Sequence, residues 1–405
     1  IQWPEFWFDS SLMALTELDL VRLTTEVTSP PEPDLSKFST ELQAYFDSIR
    51  KYSLIVRHPL ASLLEKEGDV GQQKKRLNER KSEKKHHEVD RLSSLINEPK
   101  LGDTDASWVA VDFGAGQGYL SSRLAALGWK VFALERDDGQ CHGSLTRSHD
   151  DFHVVQMNIS GETKPEDVNE IIQKAFPLEE QLRHVCYCSL HACGSLSINQ
   201  IRLFLADPSI EQLASVGCCY NLMEPDDCPP LSRRLKPYAP ILKSILGPRS
   251  ARMLACQAPW RWSSRPQQSL QSFRSNHYRA LFEAYIAPHI ENGSPGSVNQ
   301  LASFEAYCMA AFNKLGIAAA AFSFDYDEIE SRHDFKRLAI IWAMRALLGP
   351  VLESILLLDR LYLVQEAGIP EADLRPLFDP IQSPRNCILL ARRLTKHSRF
   401  KNASL

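Results

Sequence analysis

A chain of 405 residues has room for two or three domains, and 44% hydrophobic against 24% charged content supports a sizeable core and excludes global disorder. A net charge of −4 excludes a uniformly basic nucleic-acid binder and confines any such surface to a patch. No apolar run is expected to reach membrane-spanning length and no charged-then-apolar leader is visible, although the first residue is Ile1 rather than Met and a removed organelle leader is allowed for.

Residues 1–99 read as a helical region. Pro4, Pro30, Pro31 and Pro33 punctuate its start, and Phe38-Ser-Thr-Glu-Leu-Gln-Ala-Tyr-Phe-Asp-Ser-Ile49 carries apolar residues at helical spacing. The run from Lys74 to Val89 is strongly basic and includes the paired His86 and His87. By composition it is a solvated linker leading into a helix.

Residues 100–224 read as a Rossmann-like core. Val109-Ala-Val-Asp-Phe-Gly-Ala-Gly-Gln-Gly-Tyr-Leu120 is an apolar strand ending in Asp112, a glycine turn and the start of an amphipathic helix. Gly114, Gly116 and Gly118 let the backbone turn sharply and approach a ligand closely, with Ala115, Tyr119 and Leu120 beside it. The second strand, Lys130–Glu135, ends in a carboxylate suited to both hydroxyls of a ribose, followed by Arg136. A third strand spans Phe152–Met157. Asn158 after it is placed to meet an adenine edge or to cap the turn, with Ile159 next. Strand four, His184–Leu190, runs into His191-Ala-Cys-Gly-Ser-Leu-Ser197. Strand five, Leu213–Val216, runs into Gly217-Cys-Cys-Tyr-Asn-Leu222. Ligands bind at the carboxyl ends of such strands. Leu190, His191, Cys193, Cys218, Cys219, Tyr220 and Asn221 are therefore expected to converge there, with His191 as a general base or as a packed core histidine.

Residues 225–367 read as a helical insertion. From Leu231 to Leu281 there is no Asp or Glu, yet there are ten Lys or Arg, with aromatics interleaved. Arg233, Arg234, Arg252, Trp260, Arg261, Trp262 and Arg265 are its candidate contacts to phosphates and unpaired bases, against the alternative of arginines paired inside an ordinary helical insert. Phe335–Gln365 is expected to be a long helix interrupted at Gly349-Pro350. Residues 368–405 read as a closing hairpin, Leu374–Asp379 and Asn386–Arg392, followed by a basic tail.

The ten cysteines suit a reduced, intracellular setting, cytoplasmic or nuclear. Their spacings match no paired Cys-x-x-Cys site, and no metal is expected.

Asp-x-Gly-x-Gly-x-Gly followed by a second acid resembles the S-adenosylmethionine site of class I methyltransferases. Further stretches resemble the methyltransferase-like protein 25 family, which includes proteins named ribosomal RNA adenine dimethylase domain-containing: Leu190-His-Ala-Cys-Gly-Ser-Leu-Ser197, Ser215-Val-Gly-Cys-Cys-Tyr-Asn-Leu222, Ala251–Gln257, Leu356–Leu361 and Leu377–Asn386. Lys81–Val89 resembles the family's Met-Ser-Pro-Lys-Lys-x-His-Glu-Val, with Lys81 for Met and Glu83 for Pro. The resemblance runs from about residue 80 to the end. It implies a seven-stranded α/β sheet, S-adenosylmethionine as cofactor, and Lys84, Lys85, His87 and Glu88 at the rim of the site. More distantly, the Cys-Gly and Cys-Cys motifs resemble a family that 2′-O-methylates tRNA. No Asn-Pro-Pro-Tyr follows strand four, which weighs against amino methylation. RNA is the expected substrate, tRNA or rRNA. A protein acceptor, a protein partner, or a non-catalytic binding role are the alternatives, and no membrane is expected.

Overall fold

The computed structural model describes residues 4–54, 83–99, 107–148, 151–175, 183–290, 295–319, 322–369 and 371–393. Lys74–Ser82 and the basic tail beyond residue 393, both singled out in the sequence, lie outside the described residues. The chain divides into two units, each discontinuous in sequence. One comprises Ile1–Arg57 with Ala258–Pro350, the other His58–Gln257 with Val351–Leu405.

The second unit holds a seven-stranded sheet. Its strands are β1 (Ser107–Phe113), β2 (Lys130–Glu135), β3 (His153–Gln156), β4 (Arg183–Cys193), β5 (Gln212–Cys218), β6 (Glu371–Pro376) and β7 (Cys387–Arg392). The order is β3-β2-β1-β4-β5-β7-β6. β1 to β5 are parallel, whereas β7 runs antiparallel to both β5 and β6. This is the class I methyltransferase sheet, including the expected terminal hairpin. β2 lies on one side of β1 and β4 on the other, so the chain reverses its direction of travel at β1. That reversal opens a crevice at the carboxyl ends of β1 and β4.

Both faces of the sheet are buried, as parallel strands require. Side chains alternate across β1 with period two. Val109, Val111 and Phe113 face one layer, with Val168 and Ile172 of the helix Pro165–Ala175 and Ile201, Leu203 and Phe204 of the helix Leu196–Ala206. Trp108 and Ala110 face the other, with Leu92 and Ile96 of the helix Glu83–Asn97 and Leu120 and Leu124 of the helix Tyr119–Ala126. Each such aliphatic side chain contributes about 1.5–3 kcal/mol on burial, so both helix layers are firmly seated. The helix Glu83–Asn97 is therefore a packed element rather than a solvated linker.

The other unit is helical. Thr16 and Asp19 form a reciprocal capping box at the start of the helix Glu17–Val27. Ser39 caps the helix Thr40–Tyr52, which buries Leu42, Phe46 and Ile49. Tyr278, Phe282, Phe304, Tyr307 and Phe312 form an aromatic core within residues 258–350.

The break expected near Gly349 falls one residue earlier. The helices are Phe335–Leu347 and Gly349–Glu366, and Pro350 sits in the first turn of the second, where its missing N–H has no intrahelical partner to lose. Taken together, Phe335–Glu366 is long and apolar enough to cross a membrane, contrary to the sequence expectation. However, 61% of its most apolar window is buried, as in the core helix of a folded domain. Apolar composition alone does not separate the two cases.

Candidate active site

The glycine turn lies between β1 and the helix Tyr119–Ala126. Gly114, Gly116 and Gly118 have φ values of 68, 56 and 73°, a region that side chains disfavour. The three positions differ in their surroundings. A Cβ at Gly118 would stand 2.4 Å from Ser144 Oγ and 2.9 Å from Phe152, whereas a Cβ at Gly116 would meet only Gln140 Oε1 at 3.8 Å. Gly118 is thus small for packing, and Gly116 faces open space.

Two carboxylates flank the turn. Glu135 Oε2 accepts the Gly116 N–H at 2.9 Å, and its Oε1 accepts the N–H groups of Arg136 and Asp137 at 2.8 and 3.0 Å. Glu135 therefore stands ready as an acceptor where β2 ends. Asp112 is buried and accepts a hydrogen bond from Ser121 Oγ at 2.7 Å. Burial pushes its pKa up to about 7, against the pull of Ser121 and with the charge of Glu135 adding to the rise. A carboxyl raised in the folded state favours folding below its unfolded value near 4 and loses that contribution as pH rises through about 7. Asp112→Asn is accordingly expected to flatten the fall in stability between pH 4 and 7. Urea midpoints at pH 5 and 8 check this, and an unchanged difference between them would refute the assignment.

On the far side of the crevice, β4 extends further than the sequence suggests. Its pairing with β5 shifts register between Ser189 and Ala192 and then resumes, so His191 and Cys193 lie within the strand rather than after it. A bulge of this kind re-aims side chains at the rim of a sheet. His191 Nε2 lies 3.3 Å from Glu88 Oε2, and Lys84 Nζ lies 3.4 Å from Glu88 Oε1. Burial opposes ionisation of Glu88, but the hydrogen bond and charge of His191, with Ser383 and Lys84, hold its carboxyl below the usual range. An ionised carboxylate only accepts. The hydrogen bond to an ionised Glu88 is therefore donated by Nε2, and Nδ1 is the ring nitrogen that Glu88 does not engage.

Cys193 and Cys218 are register partners on β4 and β5, with Sγ atoms 3.1 Å apart, and Cys219 Sγ lies 3.6 Å from Cys218 Sγ. Hydrogen bonds from Cys193 and Cys218 hold the Cys219 thiol well below its ordinary value, with the charges of His191 and Arg385 adding to the effect. Lys85 Nζ and the Arg147 guanidinium lie 4.1 and 3.8 Å from the centre of the Tyr119 ring. Both distances suit cation–π contact. Ala115 and Leu190 pack partly buried against the core face that holds Leu120, and Ile159 against the opposite one. Asn158 and Arg136 are exposed after β3 and β2.

Several expected site residues have structural work instead. Tyr220 is buried, and its hydroxyl donates to Glu353 Oε1 at 2.9 Å, so it cannot reach an acceptor. His87 Nε2 accepts the backbone N–H of Asp379 at 2.9 Å and thereby pins the β6–β7 connection. Asn221 Oδ1 accepts from Cys256 Sγ at 3.5 Å. Arg252 is buried and donates to the carbonyls of Tyr220, Leu246, Gly247 and Met223. It clamps the segment after β5 rather than a phosphate. Glu366 accepts the backbone N–H groups of Arg233 and Arg234 at 2.7 and 2.8 Å and also pairs with the exposed Arg233 guanidinium at 3.5 Å, the acid pairing that the sequence left as the alternative, while the exposed Arg234 side chain donates to Gln365 Oε1 at 3.3 Å. Trp260 is buried within the helical unit and Trp262 packs edge-on against Phe273. Arg261 is half-buried, and Arg265 is exposed in that unit.

Sequence reasoning missed the support beneath Gly217–Met223. Arg385 Nη1 donates to Glu353 Oε1 at 2.8 Å and to the Ala255 carbonyl at 2.8 Å, and Asp359 accepts the N–H groups of Leu231 and Ser232. These residues fall in the stretches 356–361 and 377–386 or beside them. The resemblance of both stretches to the same family as the Cys-Cys-Tyr motif was the available signal.

Residues 84–226 match a family described as a methyltransferase domain. "Probable methyltransferase-like protein 25" of Mus musculus is 29% identical over 238 residues, covering 52% of this chain and 38% of that protein. The Homo sapiens protein of the same name is 29% identical over 221 residues, covering 50% and 36%. This chain thus matches well under half the length of those relatives. Among solved structures, the 23S rRNA methyltransferase ErmE aligns with TM-score 0.23 and 12% identity over 56% of this chain and 96% of that one. The glycopeptide N-methyltransferase MtfA, complexed with S-adenosylmethionine, aligns with TM-score 0.20 and 18% identity over 30% and 53%. The class I assignment of the fold follows from the strand order β3-β2-β1-β4-β5-β7-β6.

Proposed function

We propose, for a chain that carries the class I methyltransferase domain of the methyltransferase-like protein 25 family, S-adenosylmethionine-dependent transfer of a methyl group to RNA. The observation that carries the cofactor is the cradle itself: a glycine turn whose Gly116 opens on free space, with an acceptor carboxylate at the end of β2. These residues fit the group. Glu135 suits the ribose hydroxyls, Asn158 the adenine, and Asp112 the methionine end, with Lys85 and Tyr119 at the rim. The bound cofactor would supply an electrophilic methyl carbon.

The chain's own residues do the rest. Glu88 holds the imidazole of His191 in one orientation and tautomer, as a buried acid does for other catalytic histidines. His191 Nδ1 would take the proton that the acceptor loses on attack. Cys193 and Cys219 line the same end of the sheet.

The acceptor reading rests on charge. Within residues 231–257, which contain no acid, Arg234, Lys236, Lys243 and Arg249 are exposed, with Arg233 beside Glu366, and Tyr238 is exposed among them. Cations and an accessible aromatic favour a single-stranded or looped RNA. A protein acceptor is the second reading, favoured by the exposed Ile241, Ile245 and Met253 in the same stretch. All ten cysteines are free thiols, which supports a reducing compartment.

Labelled methyl from S-adenosylmethionine, offered with total RNA and total protein, separates the readings. Label released by nuclease and resistant to protease is the expected result. The converse would move the acceptor to protein, and no label in either pool would leave a binding role for the fold.

A further inference from the structure

The three thiols at the carboxyl ends of β4 and β5 are assembled by the fold in a way their spacing in sequence conceals. Cys193 and Cys218 face one another across parallel strands. Successive residues of a strand point to opposite faces, so Cys219 in an extended conformation would turn away from both. It does not, because its backbone adopts φ 48°, the one positive φ outside glycine among the described residues. That conformation is costly for a side chain bearing a Cβ, and here it keeps all three Sγ atoms within 4.8 Å of one another. The neighbouring turns interlock. The Gly194 N–H donates to the Cys218 carbonyl at 3.0 Å, and a Cβ at Gly194 would stand 2.6 Å from the Leu222 carbonyl oxygen. The cluster is thus held from both strands.

We infer that Cys193, Cys218 and Cys219 form a binding site for one thiophilic divalent ion of the zinc class, with a fourth position open toward solvent. A tetrahedral ion with Zn–S bonds of about 2.3 Å spaces its sulfurs about 3.8 Å apart. The separations of 3.1 and 3.6 Å fall within about 0.7 Å of that value, and the third is no more than 4.8 Å, so the three sulfurs already stand at nearly the spacing one ion requires. Cys218 is buried and Cys193 exposed, so the ion is reached from outside and keeps its open side there. Three protein ligands and one open position is the arrangement of zinc sites that bind a water or a substrate atom, whereas closed structural sites use four. Binding exchanges thiol protons for the ion, so each thiolate ligand formed releases one proton to solvent.

The experiment titrates the purified full chain, reduced and freed of metal, with Zn2+ against a chromophoric chelator, and in parallel with Co2+. One equivalent per chain and a thiolate-to-cobalt charge-transfer band are expected. Cys193→Ser, at an exposed position, and Cys219→Asn, a residue that tolerates left-handed backbone, should each weaken binding by at least about 100-fold, since altering even a partner that only orients a ligand costs about 10- to 100-fold. Circular dichroism checks that each variant is folded. Stoichiometry below about a tenth of an equivalent, absence of the band, or wild-type affinity in both folded variants would overturn the site. So would a Cys193–Cys218 disulfide in chain purified without reductant under exclusion of air, which would make the pair a redox couple instead.

Discussion

Glu353→Ala is expected to cost about 3–5 kcal/mol of folding stability, the range for stripping one partner from a buried ion pair. Glu353 and Arg385 are both buried, 2.8 Å apart. Burial pushes the Glu353 carboxyl up, and Arg385 and Tyr220 pull it back. Removing the carboxylate leaves the Arg385 guanidinium charged in the interior, hydrogen-bonded among the described residues to the carbonyls of Ala255, Cys256 and Gln257. It also frees the Tyr220 hydroxyl, which loosens the Gly217–Met223 segment. Replacing both partners by Met should recover part of the loss, because an apolar pair has no charge to desolvate. Recovery stays partial because the three carbonyls lose their donor. Urea unfolding of these two variants beside the unaltered chain measures this. A loss under about 1 kcal/mol for Glu353→Ala would mean that water reaches the pair.

What could be read from the sequence follows from the range of the interactions involved. The glycine turn, Asp112 and Glu135 were legible because one βαβ unit holds all of their geometry within 29 residues, Val109 to Asp137. The terminal hairpin was legible for the same reason, since strand period and a Pro-containing turn are local. The roles of Tyr220, His87, Arg252 and Trp260 were not. Composition counts a cation or an aromatic ring, and only packing decides whether it meets solvent or a carbonyl cluster. Arg252 and Arg233 lie in one acid-free run, yet one is sealed against four carbonyls and the other is exposed. The extension of β4 through Cys193 depends on a register shift against β5, which no single-strand pattern encodes. The thiol cluster needs both that shift and the left-handed Cys219. Linear Cys-x-x-Cys spacing is therefore the wrong place to look for it.

Glu135→Ala should weaken S-adenosylmethionine binding by roughly 10- to 100-fold, since hydrogen bonds to a charged group are worth about 1.5–3 kcal/mol and each 1.4 kcal/mol is tenfold in affinity. Calorimetric titration reads this directly. Glu135 also braces the turn through the Gly116 N–H, so lost affinity alone does not separate a ribose contact from a loosened backbone. Gly116→Arg supplies the separation. Its Cβ has room, with nothing nearer than 3.8 Å, and the left-handed backbone costs about 1–2 kcal/mol. The variant should therefore fold, with Glu135 still in place, while its long side chain fills the space that Gly116 leaves open. Gly118→Arg should instead disrupt the domain, because its Cβ alone would collide with Ser144 and Phe152. Two folded variants, Glu135→Ala weakened and Gly116→Arg abolished, are the outcome expected of a cofactor cradle. If Gly116→Arg folds and binds S-adenosylmethionine with wild-type affinity, the cofactor does not sit on the glycine turn, and the crevice at β1 and β4 loses its assignment.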